Sequence, residues 1–101
     1  MTNIDLPRRL AQKYKLPLQV AAFFSLLIEA DCVTVDLAYR QIGSVECRQL
    51  TYRLRQRLKD VTPQITIHRQ NAVGYWLDED TRSMLAQQMG IELSRQHPRT
   101  A

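Results

Sequence analysis

The chain has 101 residues, 45% of them hydrophobic, with a formal net charge of +4 and a pI near 9.4. That length and apolar content suit one domain with a modest core and exclude wholesale disorder. The basic balance is compatible with an anionic partner but identifies none by itself.

Two cysteines, Cys32 and Cys47, are too few for a disulfide framework and read as reduced thiols. Only His68 and His97 could join them as ligands, at long sequence separation, so no zinc spacing is present. The opening MTNIDLPRRL is charged where a signal peptide would be apolar. The most apolar run, residues 20–28, is far shorter than the ~18–20 residues of a membrane span and reads as a buried helix. A soluble, cytoplasmic protein with no membrane partner is expected.

In chain order, Asp5 is positioned to cap a helix beginning near Leu6-Pro7. Leu6, Leu10 and Tyr14 recur at helical spacing, with Arg8, Arg9, Lys13 and Lys15 elsewhere. Residues 1–15 thus read either as a short helix packed on the body or as a basic arm touching phosphates. Residues 18–30 form the core helix, with Val20, Phe23, Phe24 and Leu27 on its apolar side. Cys32-Val33 is a short β-prone link. Thr34 is a natural N-cap for a second helix over 35–42, and Gly43-Ser44 ends it.

Residues 45–61, VECRQLTYRLRQRLKDV, are the most informative stretch. As a helix they place Cys47, Leu50, Thr51, Leu54 and Leu58 in one narrow arc. Gln49, Tyr52, Arg53, Gln56 and Lys59 lie opposite, with Arg48 and Arg55 at the edges. Arg57 leans back toward the body, where it would pair with an acid. Pro63 stops the helix. Ile65 and Ile67 then alternate with Thr66 and His68, residues 69–72 are turn-prone, and 73–77 form a second β-prone run. Gly74 permits a close approach or bend. Asp80 is placed to cap a last helix over 81–89, ended by Gly90, and residues 94–101 read as a disordered tail.

Charge is segregated along this plan. Residues 40–60 carry six basic side chains (Arg40, Arg48, Arg53, Arg55, Arg57, Lys59) against Glu46 and Asp60, whereas 78–92 carry Asp78, Glu79, Asp80 and Glu92 against Arg82. Three helices followed by a two-stranded hairpin outline a winged helix-turn-helix: a mainly α (α+β) fold with a three-helix core, a C-terminal β-hairpin wing, and extra N- and C-terminal helices. DNA binding by such a fold needs donors and acceptors on one helix for base edges, and cations around it for phosphates.

The motifs make the resemblance specific. Residues 16–77 resemble the winged-helix output domain of OmpR/PhoB-type response regulators. LPLQVAAFFSLLIEA is similar to that family's first helix and VTVDLAYRQIG to its second. LTYRLRQRLKD resembles the recognition helix's RRLRKKL, with Leu54, Arg55, Arg57 and Leu58 in register, and AVGYWL resembles the wing's GVGYRL. The chain departs from the family in having no receiver domain, a short turn at Gly43–Glu46 where the family has a longer polymerase-contacting loop, and Ala72 at the first wing glycine. The organisation expected is a basic arm or short helix (1–15), a winged-helix domain (16–77), an added helix (78–93) and a tail (94–101).

By this resemblance Arg48, Gln49, Tyr52, Arg53 and Gln56 are candidates for base edges. Thr34, Arg55 and Lys59 are candidates for phosphates, and Arg69, Gln70 and Asn71 for the wing contact. The partner implied is double-stranded DNA, with a homodimer supplying affinity that one small domain lacks. The alternative is a protein-interaction module acting through the last helix, with Met84, Leu85 and Met89 as its surface. No nucleophile–base pair, paired carboxylates or phosphate-cradling glycine loop is legible, glycine occurring only at 43, 74 and 90. Neither an enzyme, a cofactor, a metal nor a small-molecule substrate is therefore expected.

Overall fold

A computed structural model describes residues 5–61 and 64–93. The stop at Pro63 and the tail at 94–101 lie outside the described residues. The chain is mainly helical with one small antiparallel sheet: α1 (Leu6–Tyr14), α2 (Leu18–Glu29), α3 (Val35–Ile42), α4 (Cys47–Leu58), β1 (His68–Gln70), β2 (Gly74–Trp76) and α5 (Glu79–Met89). Among the described residues no helix is long and apolar enough to cross a membrane.

The core is built on α2, whose Val20, Phe23, Phe24, Leu27 and Ile28 are almost fully buried. Phe24 meets Tyr14 of α1 edge-on at 5.6 Å, and Phe23 meets Tyr75 of β2 edge-on at 6.0 Å. Such aromatic pairs add roughly 0.5–1.5 kcal/mol beyond their area. They tie the first helix and the hairpin to the same element.

Residues 6–14 are helix rather than arm. Leu6 and Leu10 are buried, and the Arg9 guanidinium donates to the Met89 carbonyl at the end of α5. Asp5 does not cap by its side chain; its backbone carbonyl accepts from Arg9 N at 2.9 Å. Lys15 closes α1 in the left-handed region at φ 56°.

Thr34 caps α3 as its position suggests, Oγ1 accepting from Leu37 N at 3.0 Å. Gly43 ends α3 at φ 70° with its amide on Tyr39 O, supplying the left-handed turn that leads into α4. α4 is shorter than the 45–61 expected. The Ser44 hydroxyl accepts from Glu46 N at 3.1 Å and holds 44–46 as a turn, while Val61 N turning back onto Leu58 O closes the other end. Its buried residues are the expected Cys47, Leu50, Thr51, Leu54 and Leu58.

The hairpin pairs His68 with Trp76, Arg69 with Tyr75 and Gln70 with Gly74. Ile65 and Ile67 are buried just before β1 rather than within it. The Cys32-Val33 link does more than connect. Val33 and Tyr75 exchange amide bonds at 2.7 and 3.0 Å, so β2 is flanked on both sides. The Cys32 thiol donates to Val73 O at 3.5 Å.

α5 begins at Glu79, with Asp78 rather than Asp80 at its N-cap and no side-chain cap bond. Leu85, Ala86 and Met89 are buried, and α5 packs on α2. Arg82, 8% exposed, drives its guanidinium onto Ile28 O (2.8 Å), Glu29 O (3.2 Å) and Asp31 Oδ1 (2.9 Å). A cation there satisfies the unpaired carbonyls at the C-terminal end of α2.

Candidate nucleic-acid interface

The outward side of α4 follows from its buried side. With Cys47, Leu50, Leu54 and Leu58 turned inward, positions 49, 52, 53 and 56 fall together on the opposite face at spacings of three and four. Arg48, Gln49, Tyr52, Arg53 and Gln56 are all exposed, Tyr52 at 63%. Lys59, at the C-cap, is exposed as well. None of these six side chains forms a hydrogen bond or ion pair with another described residue.

The other arginines behave differently. Arg40 pairs with Asp36 one turn earlier at 2.6 Å. Arg55 Nη2 donates to Ile67 O at 2.7 Å, and Arg57 Nη1 donates to Lys15 O at 2.8 Å. Arg57 does lean back to the body, but onto a backbone carbonyl rather than an acid. The basic run counted along 40–60 is therefore divided: Arg48, Arg53 and Lys59 have no partner among the described residues, while Arg40, Arg55 and Arg57 hold the protein's own groups.

Thr34 and the hairpin tip, far apart in sequence, meet around one cleft. It has a volume of about 310 Å³, and Thr34, Val35, Arg69, Asn71, Val73 and Tyr75 are among its lining residues. Arg69 Nη2 donates to Asn71 Oδ1 at 3.1 Å, so two of the three tip candidates are bonded to each other. Gln70 joins the same lining. Val35 (47% exposed) and Val73 (44%) give the cleft an apolar part that the sequence reading did not include. A valine beside a cap and one beside a turn carry no periodic signal, so only the tertiary arrangement reveals them. The structure thus presents two groups: five side chains on α4, and Thr34 with the hairpin tip.

Trp76 stacks on its cross-strand partner His68 at 5.6 Å, and His68 Nε2 lies 2.9 Å from Asp78 Oδ1. Both aromatics of the hairpin, Tyr75 and Trp76, are thereby engaged within the protein. Burial pushes the Cys47 thiol up, and burial does the same for Cys32, opposed by a backbone hydrogen bond at Tyr75 and reinforced by Asp31. Neither thiol is poised as a nucleophile. Among the described residues no three His, Cys, Asp or Glu side chains gather where they could hold a metal ion. No family model, curated protein or solved structure matches the chain.

Proposed function

We propose that the chain is a winged helix-turn-helix regulator that binds double-stranded DNA sequence-specifically, with α4 in the major groove and the hairpin on the adjacent groove or backbone. The observation that carries this reading is the exposed face of α4, where Arg48, Gln49, Tyr52, Arg53 and Gln56 have no hydrogen-bond or ion-pair partner among the described residues. Leaving two guanidiniums and two amides unpaired on one face of a helix serves no internal purpose. It suits base edges: arginine can bond guanine and glutamine can bond adenine, each through two hydrogen bonds, at roughly 1–3 kcal/mol of discrimination per good pair. An α-helix is about 10–12 Å across with its side chains and so fits a major groove about 12 Å wide, and the 12 residues of α4 run about 18 Å along it. Lys59 supplies charge for a phosphate, and Thr34, Arg69, Gln70 and Asn71, grouped around one cleft, supply donors for a second stretch of backbone. A second copy on a neighbouring half-site would raise the affinity.

The reading is tested by selecting duplexes from a random library at fixed salt and measuring binding of the full chain. Arg53→Ala is expected to weaken the selected duplex by about 1–3 kcal/mol and unselected duplex much less. Log affinity should fall linearly with log salt, with a slope near −0.9 per phosphate neutralised. Equal binding of all duplexes by both forms would overturn the assignment of α4. The docking alternative through α5 is not favoured, because Leu85 and Met89 are buried in the protein's own core.

A further inference from the structure

Arg55 was assigned to a phosphate by resemblance, yet its guanidinium has another task. It leaves the last turn of α4 and bonds the carbonyl of Ile67 at 2.7 Å. Ile67 is 3% exposed and immediately precedes β1. The hairpin is held on its β2 side by the reciprocal Val33–Tyr75 amide bonds. On its β1 side this arginine provides a side-chain hydrogen bond back to α4. Two residues on, Arg57 pins the same end of α4 to the close of α1 through Lys15 O. The final turn of α4 is therefore fixed to the body and to the hairpin at once.

We infer that Arg55 is a positioning residue: it sets where the tip at Arg69–Asn71 lies relative to the base-facing side of α4, so that the tip's share of duplex binding depends on it. The inference rests on the DNA-binding reading above. A planar guanidinium suits the role, since its donors lie in a fixed fork and bonding one carbonyl also orients the rest. A phosphate contact would act differently. It would contribute independently of the tip, and lysine, which binds phosphate as a point charge, would replace it.

The test uses the full chain as wild type, Arg55→Gln, Arg55→Lys, Arg69→Ala and the Arg55→Gln/Arg69→Ala double variant. Without DNA, amide exchange is followed at Val33, Tyr75 and the hairpin. Both Arg55 variants should speed exchange there by about tenfold while α4 amides keep their protection. On a selected duplex, Arg55→Gln should weaken binding by about threefold to tenfold, but by less than about twofold once Arg69 is already alanine. Equal losses in the two backgrounds, with Arg55→Lys restoring affinity, would make Arg55 a phosphate contact and overturn the inference. Unchanged hairpin exchange, or an Arg69→Ala variant that binds as wild type, would overturn it too. A wild-type chain that binds no duplex would remove the DNA reading and the coupling to the tip with it. The exchange measurement would still decide separately whether Arg55 holds the hairpin.

Discussion

Two hairpin residues two positions apart carry opposite demands on their side chains. Ala72 sits at φ 65°, a left-handed conformation that costs an L-residue roughly 1–2 kcal/mol. Gly74 sits at φ 138°, where a Cβ would lie 2.6 Å from Val33 O and 2.8 Å from Cys32 Sγ. A thiol could swing aside, but Val33 O is backbone already bonded to Tyr75 N and cannot retreat without breaking that pair. Ala72→Gly should therefore stabilise the protein, by up to about 1 kcal/mol after the added freedom of the unfolded chain is subtracted. Gly74→Ala should destabilise it by at least about 2 kcal/mol and release the Val33 and Tyr75 amides to exchange. Urea unfolding of the two variants checks both signs. A stable Gly74→Ala protein with protected amides would contradict the close approach. The glycine's need for space was legible in the sequence as a glycine within a β-prone run. What occupies that space was not, because Val33 lies 41 residues before it and reads as a plain connection.

At the scale of elements, three helix ends are closed by arginines from other helices. Arg57 of α4 bonds Lys15 O after α1, Arg82 of α5 bonds Ile28 O and Glu29 O of α2, and Arg9 of α1 bonds Met89 O of α5. Among these Arg82 is the most buried, and removing it would strand two carbonyls at the end of the core helix. Arg82→Met keeps the apolar stem and should cost about 2–4 kcal/mol in urea unfolding, nearly all from those carbonyls. Asp31 contributes little, since its side chain is 55% exposed. A loss under about 1 kcal/mol would show that water or the chain itself satisfies the helix end equally well. The helices themselves were readable, because each buries a stripe whose period is local: Cys47, Leu50, Leu54 and Leu58 state their face without help. The arginine closures were not. A long cation looks the same in sequence whether it meets solvent, a phosphate or a carbonyl 54 residues away, as Arg82 does. Arg55 shares that ambiguity: a candidate for a phosphate by resemblance, it bonds Ile67 O within the protein.

For the molecule as a whole, stability should depend on pH through acids that folding partly or fully buries. Burial raises the thiols of Cys32 and Cys47 above their ordinary 9.0 and the Tyr14 phenol above its ordinary 10.0. Above pH 9 the unfolded chain releases these protons while the folded chain retains them, so the unfolded state gains. Their contribution is fully present below pH 9 and is lost as pH climbs through the raised values. Urea midpoints should hold near pH 8 and fall between pH 9 and 10.5, and the Cys32→Ser/Cys47→Ala double variant should flatten the first part of that fall. Midpoints that rise over this range would reverse the sign assigned here.

The unpartnered face of α4 bears on how the protein could change over time. Arg48, Gln49, Tyr52, Arg53 and Gln56 are exposed and take no part in the arginine closures. Substitutions confined to such positions shift stability by about ±0.5 kcal/mol or less, provided helix formers are used. On the proposed reading, the base-facing residues of α4 are separate from those that hold the fold. If that reading holds, a lineage, or a library randomised at those five sites, would exchange one target for another without first acquiring stability to spend on the change.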